Sequence, residues 1–229
     1  MVVIEKSKEP DSWTQHCKTP GSEYESTPEL RDSLLKDQGF ICAYCMRRIP
    51  VTDHGTTESS RIEHIIPQSM LTREQAMEYS NMVICCPGAI SSISEKLTHC
   101  DRHKGEKPIS LSPLDKNFIA TLDYKRDGTL FSSDKRFDSE INTILNLNIE
   151  QLKANRKSVR NGLINFLNAK KNRWKRADLE KILQKYEGRD EGGRRLEYCG
   201  VVISYVSKKI RQLHCIILPD FQTDTIMAV

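Results

Sequence analysis

RIEHIIPQS, residues 61–69, lies between a CAYC pair at 42–45 and three further cysteines, Cys85, Cys86 and Cys100. It sets an adjacent acid and histidine, Glu63 and His64, inside a frame of thiols. A C-x-x-C pair grips a metal because a tight turn brings two sulfurs to one point, and zinc prefers four thiolate or imidazole ligands in a tetrahedron. Cys42 and Cys45 supply half of such a site. Cys100 supplies a third ligand, and the fourth falls to Cys85 or Cys86, since only one of two adjacent side chains usually points at the metal. The Ser-rich stretch 88–98 separates that pair from Cys100, so the second half is not a C-x-x-C.

The acid–histidine pair carries the candidate chemistry. A neutral imidazole can take a proton from water while a neighbouring carboxylate binds a divalent cation. One Glu-His dipeptide is a weak signal and is more often a surface pair. It gains weight from the thiol frame, from Asn81, and from the cluster HCDRHKG at 99–105.

Composition bounds the rest. A chain of 229 residues with 38% apolar residues can build a real core, as one large domain or two small ones. No run of 18 apolar residues occurs, and the start MVVIEKSKEPDSW has neither a signal-peptide apolar segment nor the basic amphipathic character of a transit peptide. The expected location is the cytoplasm, where thiols stay reduced and the eight cysteines read as ligands or small buried side chains. The net charge of +4 is uneven: residues 1–40 hold five Lys/Arg against eight Asp/Glu, and residues 151–211 hold seventeen against six. The basic C-terminal part suits a polyanionic partner or, equally, a set of solvated helix faces.

Taken in order, residues 1–26 show no sustained apolar period and read as an arm lying on something rather than a packed element. Thr27 as a cap, Pro28 at the first helical position and Gly39 as a stop predict a helix over 28–38. RIEHIIP predicts a short strand that Pro67 ends, and Thr72 with Gln75 predicts a capped helix over 73–79 leading to NMVICC at 81–86. HCDRHKG opens a helical turn, ISLSPLDKN is a loop, and the Asp-Gly of DYKRDGTLF predicts a hairpin. Helices follow: one around Ile141, Ile144 and Leu145, and one from Ile149 to about Lys170, capped by Asn148. The latter carries a stripe of Leu152, Val159, Leu163, Ile164, Phe166 and Leu167. Two more are expected at 177–186 and 197–211. The fold class is α+β with a mostly helical C-terminal region, divided as an arm (1–26), a central domain (27–125) and a basic helical region (126–229).

CAYC, RIEHIIPQS, Asn81 ahead of a cysteine, and HCDRHKG together resemble the HNH (ββα-metal) endonucleases of the zinc-stapled type, in which a hairpin and a helix hold the metal. EPDSW, KTPGSEY, CAYCMRRI, ISLSPLD and FDSEINTILNLNIEQLKANRK extend the likeness over residues 4–170. These segments resemble the PtuB nuclease subunits of Septu anti-phage defence systems and their retron-associated relatives. The resemblance implies a zinc-stapled ββα-metal core over 27–125. His64 would be the general base, Glu63 a ligand of a catalytic Mg²⁺ or Mn²⁺, and Asn81 the middle residue of the motif. It selects Cys86 over Cys85, giving a structural zinc (Zn²⁺) on Cys42, Cys45, Cys86 and Cys100. Where the family carries its final histidine this chain has Asp101, with His103 second in rank and His99 also near. Lys104 is expected near a phosphate. The implied partners are nucleic acid, an ABC-type ATPase subunit (PtuA), and in retron-linked systems a reverse transcriptase with its RNA–DNA product. The arm and the C-terminal helices are the expected docking surfaces.

KKNRWKR at 170–176 interleaves Trp174 with cations, so Lys171, Arg173, Trp174, Lys175 and Arg176 are candidate nucleic-acid contacts. The alternative function is a zinc-stapled binding or adaptor subunit without hydrolysis. His214 and Cys215 read as ordinary residues.

Overall fold

The structure, a computed structural model, describes residues 1–50, 60–89, 94–169 and 174–215. The N-terminal segment, expected as an arm lying on something rather than a packed element, is packed into the core. It contains helix α1 (Asp11–Lys18), and Trp13 is 1% exposed, with its indole N–H donating to the Met77 carbonyl at 3.0 Å. A single large aromatic does the burying, so there is no periodic stripe for the sequence to reveal.

Helix α2 (Pro28–Gln38) forms where its signals coincide. Thr27 Oγ1 accepts the Leu30 amide at 3.2 Å, Pro28 fills the first turn, and Gly39 leaves in the left-handed region at φ 63°. A side chain at Gly39 would also meet the Arg195 backbone nitrogen at 2.9 Å, so the close approach and the φ both require glycine. Leu30, Leu34 and Leu35 are buried on one face. Gln38 ends the helix with its amide bonded to both the N–H (2.7 Å) and C=O (2.8 Å) of Ile84. It serves that strand as a neighbour would, giving the Ile84 N–H its partner and sharing the C=O with the Ala43 N–H at 3.1 Å.

Strand β1 (Arg61–His64) pairs antiparallel with β2 (Met82–Cys85), placing Glu63 opposite Val83 and His64 opposite Met82. Between them runs α3 (Arg73–Ala76), with both halves of the Thr72–Gln75 capping box present. It is shorter than the predicted 73–79, because the chain turns at Met77 into a 3₁₀ turn at Tyr79–Asn81. Helix α4 (Asp101–Lys104) follows Cys100. Helix α5 (Lys116–Ala120), capped by Asp115, begins inside the stretch expected as loop. The predicted hairpin is β3 (Leu122–Tyr124) against β4 (Leu130–Ser132).

Helices α6 (Lys135–Thr143), α7 (Glu150–Ala169), α8 (Arg176–Glu187) and α9 (Cys199–Cys215) make up the C-terminal part, so VVISYV is helical. Asn148 does not cap α7. Its amide brackets Leu130, accepting the N–H at 2.9 Å and donating to the C=O at 2.8 Å. On the α7 stripe Leu152, Leu163 and Leu167 are buried, but Phe166 is 55% exposed and leans on Trp174 instead.

The main core takes Met1, Ile4 and Trp13 from before residue 27 and Leu130, Ile141, Leu145, Leu147 and Leu152 from beyond residue 125. Neither boundary expected from the sequence therefore separates two cores. A further apolar cluster packs α7, α8 and α9 through Leu163, Leu167, Leu179, Val202 and Val206. Among the described residues no helix is long and apolar enough to cross a membrane.

Arg156 joins the parts. It is 1% exposed and donates to the carbonyls of Gly128 and Leu147, each at 2.7 Å, and to Asn148 Oδ1 at 2.9 Å. Arg156→Met should strand the Gly128 and Leu147 carbonyls and lower stability by on the order of 3 kcal/mol. A fall of the urea midpoint at unchanged m-value is the measurement that checks it.

Candidate functional site

The CAYC turn is closed by Cys42 N–H to Arg47 O (2.9 Å) and Met46 N–H to Cys42 O (3.0 Å). Cys86 comes just beyond β2 and Cys100 just before α4, and the sulfurs of Cys42, Cys45, Cys86 and Cys100 all lie within 4.8 Å of one another, fully buried. Sulfur–sulfur separations of 3.7 Å (Cys42–Cys100), 3.7 Å (Cys45–Cys86) and 4.0 Å (Cys86–Cys100) describe the edges of a small tetrahedron. A Zn–S bond of about 2.3 Å puts tetrahedral sulfurs ~3.8 Å apart, so the donor set and its size are compatible with a structural zinc. Cys85 is buried too but lies outside this group, on the strand opposite Arg61.

Cys100 adopts φ 58°, ψ −141°, a conformation that costs a non-glycine residue of order 1–3 kcal/mol. Its N–H is tied to Leu145 O at 2.9 Å, which fixes the turn into α4. His99 belongs with the sulfurs: its Nδ1 lies 3.1 Å from Cys100 Sγ, and its buried Nε2 has no hydrogen-bond partner among the described residues.

The turn at Cys100 delivers α4 across β1. Asp101 and Lys104, three apart and therefore on one face, meet Glu63 and His64. Arg61, Glu63, His64, Gln68, Asp101 and Lys104 line a polar cleft of about 290 Å³. Glu63 is 4% exposed; it accepts from Lys104 Nζ at 2.8 Å and from the Tyr44 hydroxyl at 3.1 Å. Arg61 Nε donates to Asp101 Oδ2. Burial foremost, then the neighbouring Asp101, pushes the Glu63 carboxyl up to about 8, and Lys104 only partly opposes this. Two crowded carboxylates offer the hard oxygen donors that Mg²⁺ or Mn²⁺ takes, and a divalent cation would relieve their repulsion.

His64 is held at both nitrogens. Nε2 lies 2.8 Å from the Ala76 carbonyl, and the Gln68 amide donates to Nδ1 at 3.0 Å. The carbonyl can only accept, so Nε2 carries the proton and Nδ1 the lone pair. Burial keeps the imidazole below its usual pKa, so the ring is neutral near pH 7.

The other expected residues fall as follows. Asn81 bonds Ile66 twice, from Nδ2 to its carbonyl (3.0 Å) and from its N–H to Oδ1 (2.9 Å); it braces the chain after β1 and does not line the cleft. His103 also lies off the cleft, with Nδ1 3.0 Å from Thr98 Oγ1. Lys104, expected near a phosphate, is 1% exposed and spent on Glu63 and on the His64 carbonyl at 3.1 Å. Trp174 is half-buried, donates to Leu167 O at 2.6 Å and packs on Phe166, while Arg176 pairs with Glu180; neither they nor Lys175 line the cleft. Lys171 and Arg173 lie outside the described residues.

Sequence reasoning missed Tyr44, Gln68 and Tyr24. Gln68, in RIEHIIPQS itself, could have been found as a polar side chain four residues past the histidine. Tyr24, from the segment expected to be a docking arm, sets its ring against His64 at 4.6 Å between centroids, edge to face. No protein-family model matches the chain, and comparison with curated proteins returns no match.

The raised Glu63 carboxyl has a consequence for stability. A folded pKa near 8 against an ordinary 4.5 means that the native state binds the extra proton in between, so this contribution is lost as pH rises from 4.5 through about 8. Without added Mg²⁺ or Mn²⁺, the urea midpoint should fall over that window, and Glu63→Gln should flatten the dependence.

Proposed function

We propose that this chain is a metal-dependent endonuclease of the HNH type that hydrolyses phosphodiester bonds in DNA, or in an RNA such as tRNA. The observation that carries this reading is the convergence of Glu63, His64 and Asp101 on one polar cleft beside the four-thiol cluster. The two antiparallel strands followed by α4 support a ββα arrangement, with zinc on Cys42, Cys45, Cys86 and Cys100 as its staple.

Glu63 and Asp101 would hold a Mg²⁺ or Mn²⁺ ion, which stabilises charge on the phosphate and the leaving oxygen. His64 Nδ1 takes the proton of the attacking water once Gln68 has moved aside. The Nε2–H bond to Ala76 O keeps the tautomer in which that lone pair is free. Lys104 and Arg61 balance the two carboxylates.

The sequence resemblance supports a further step, that the chain is the effector subunit of an anti-phage defence complex. It would act with an ABC-type ATPase and, in retron-linked forms, with a reverse transcriptase and its RNA–DNA product. One observation favours the adaptor reading: both carboxylates already have a cationic partner, in Lys104 and Arg61. The chain, alone and with the ATPase, is to be assayed on DNA and RNA panels with several divalent ions. His64→Ala should keep its fold and zinc and lose cleavage by about 10³-fold or more. Full activity in that variant would sink the mechanism, and stoichiometric zinc with no cleavage of any substrate would favour the adaptor.

The staple has its own check. Cys86→Ser should lose zinc by elemental analysis and fold poorly, and Cys85→Ser should keep one zinc per chain.

A further inference from the structure

The N-terminal segment reaches His64 by two routes. Directly, the Tyr24 ring meets the imidazole at 4.6 Å between centroids and 84° between planes. Indirectly, the same segment grips the backbone that anchors the other side of the ring. His64 Nε2 donates to Ala76 O, and the next carbonyl, Met77 O, accepts the Trp13 indole N–H at 3.0 Å. Arg73 of α3 donates to Ser22 O, and Ser22 Oγ lies 3.9 Å from Met77 Sδ. Trp13 in turn meets Tyr24 edge to face at 6.3 Å. Trp13, α3 and Tyr24 thus hold the imidazole from residues that do not line the cleft.

We propose that Tyr24 is a positioning residue: its ring, seated on Trp13, holds the His64 imidazole in the orientation that turns Nδ1 to the cleft. The assignment rests on the nuclease reading for its catalytic meaning, but the orientation is a property of the chain itself. With Gln68 moved aside to free Nδ1, the imidazole keeps only the Ala76 O bond and could pivot about that one contact. Edge-to-face contact with Tyr24 removes the pivot, because aromatic pairs at this distance have a preferred geometry. A misplacement of about 1 Å in a reacting group costs on the order of 10²-fold in rate. Tyr24 touches neither substrate nor cation in this account, so it is not a catalytic residue.

The test uses the full chain with zinc bound. Tyr24→Leu should lower kcat by about 10- to 100-fold with KM within about twofold. Tyr24→Phe, which keeps the ring, should restore kcat. In parallel, ¹⁵N-resolved NMR of the imidazole should show a single Nε2–H tautomer in the parent and in Tyr24→Phe, and an averaged pattern in Tyr24→Leu. Unchanged His64 signals in Tyr24→Leu overturn the clamp whether or not the protein cuts nucleic acid. A parent that cuts nothing removes the nuclease reading and leaves the NMR result to decide the clamp. A Tyr24→Phe variant as slow as Tyr24→Leu moves the role to the hydroxyl and overturns positioning by the ring. Should Tyr24→Leu fail to fold, Trp13→Phe removes the bond to Met77 and shrinks the ring on which Tyr24 sits. It should give the same change in the His64 signals in weaker form, and no change would count against the proposal.

Discussion

Four sulfurs meeting at one buried point hold the central part of this molecule in register. Cys42 and Cys45 arrive from the turn after α2, Cys86 from the end of β2, and Cys100 from the start of α4. None of these elements is long enough to fix its neighbours alone: β1 and β2 have four residues each and α4 has four. Short strands and a single helical turn are marginal by themselves. Their relative placement comes from the sulfur cluster, from Gln38 on the edge of β2, and from the Leu145 carbonyl on Cys100. The cleft is a by-product of that placement, since Asp101 follows Cys100 directly and inherits its position.

The electrostatics of the cleft are a compromise between burial and charge. Glu63 and Asp101 are nearly enclosed, and each has been given one cation, Lys104 or Arg61. That is enough to keep the carboxylates in the fold, yet Glu63 remains pushed toward its protonated form. The four charges cancel only when Glu63 is ionised, a state that burial and Asp101 disfavour and that a further positive charge would favour. A fully satisfied salt-bridge pair would not invite one.

What could be read from the sequence was whatever is local. The helix over 28–38 was legible to the residue because cap, proline and terminal glycine all act within the helix itself. The Asp-Gly hairpin and the Thr72 capping box were legible for the same reason. Cys85 and Cys86 could not be separated by residue chemistry, since both are buried thiols; their places at and beyond the end of β2 separate them. Lys104 looked like a surface cation because nothing in HCDRHKG shows that its side chain turns inward along with Asp101. Trp13 and Tyr24 looked inert because their partners, Met77 and His64, are 64 and 40 residues away, and no local period reports such a contact.

The sequence distance across the cluster governs when the cleft can exist. Cys42 and Cys100 are 58 residues apart. Bringing such distant points together costs loop-closure entropy before any contact repays it, so long-range junctions of this kind form slowly and late. The α8–α9 hairpin and the start of α2 rely on near neighbours and need not wait. Formation of the surroundings of His64 is therefore tied to closure of that 58-residue junction, whereas the packing of neighbouring helices is not.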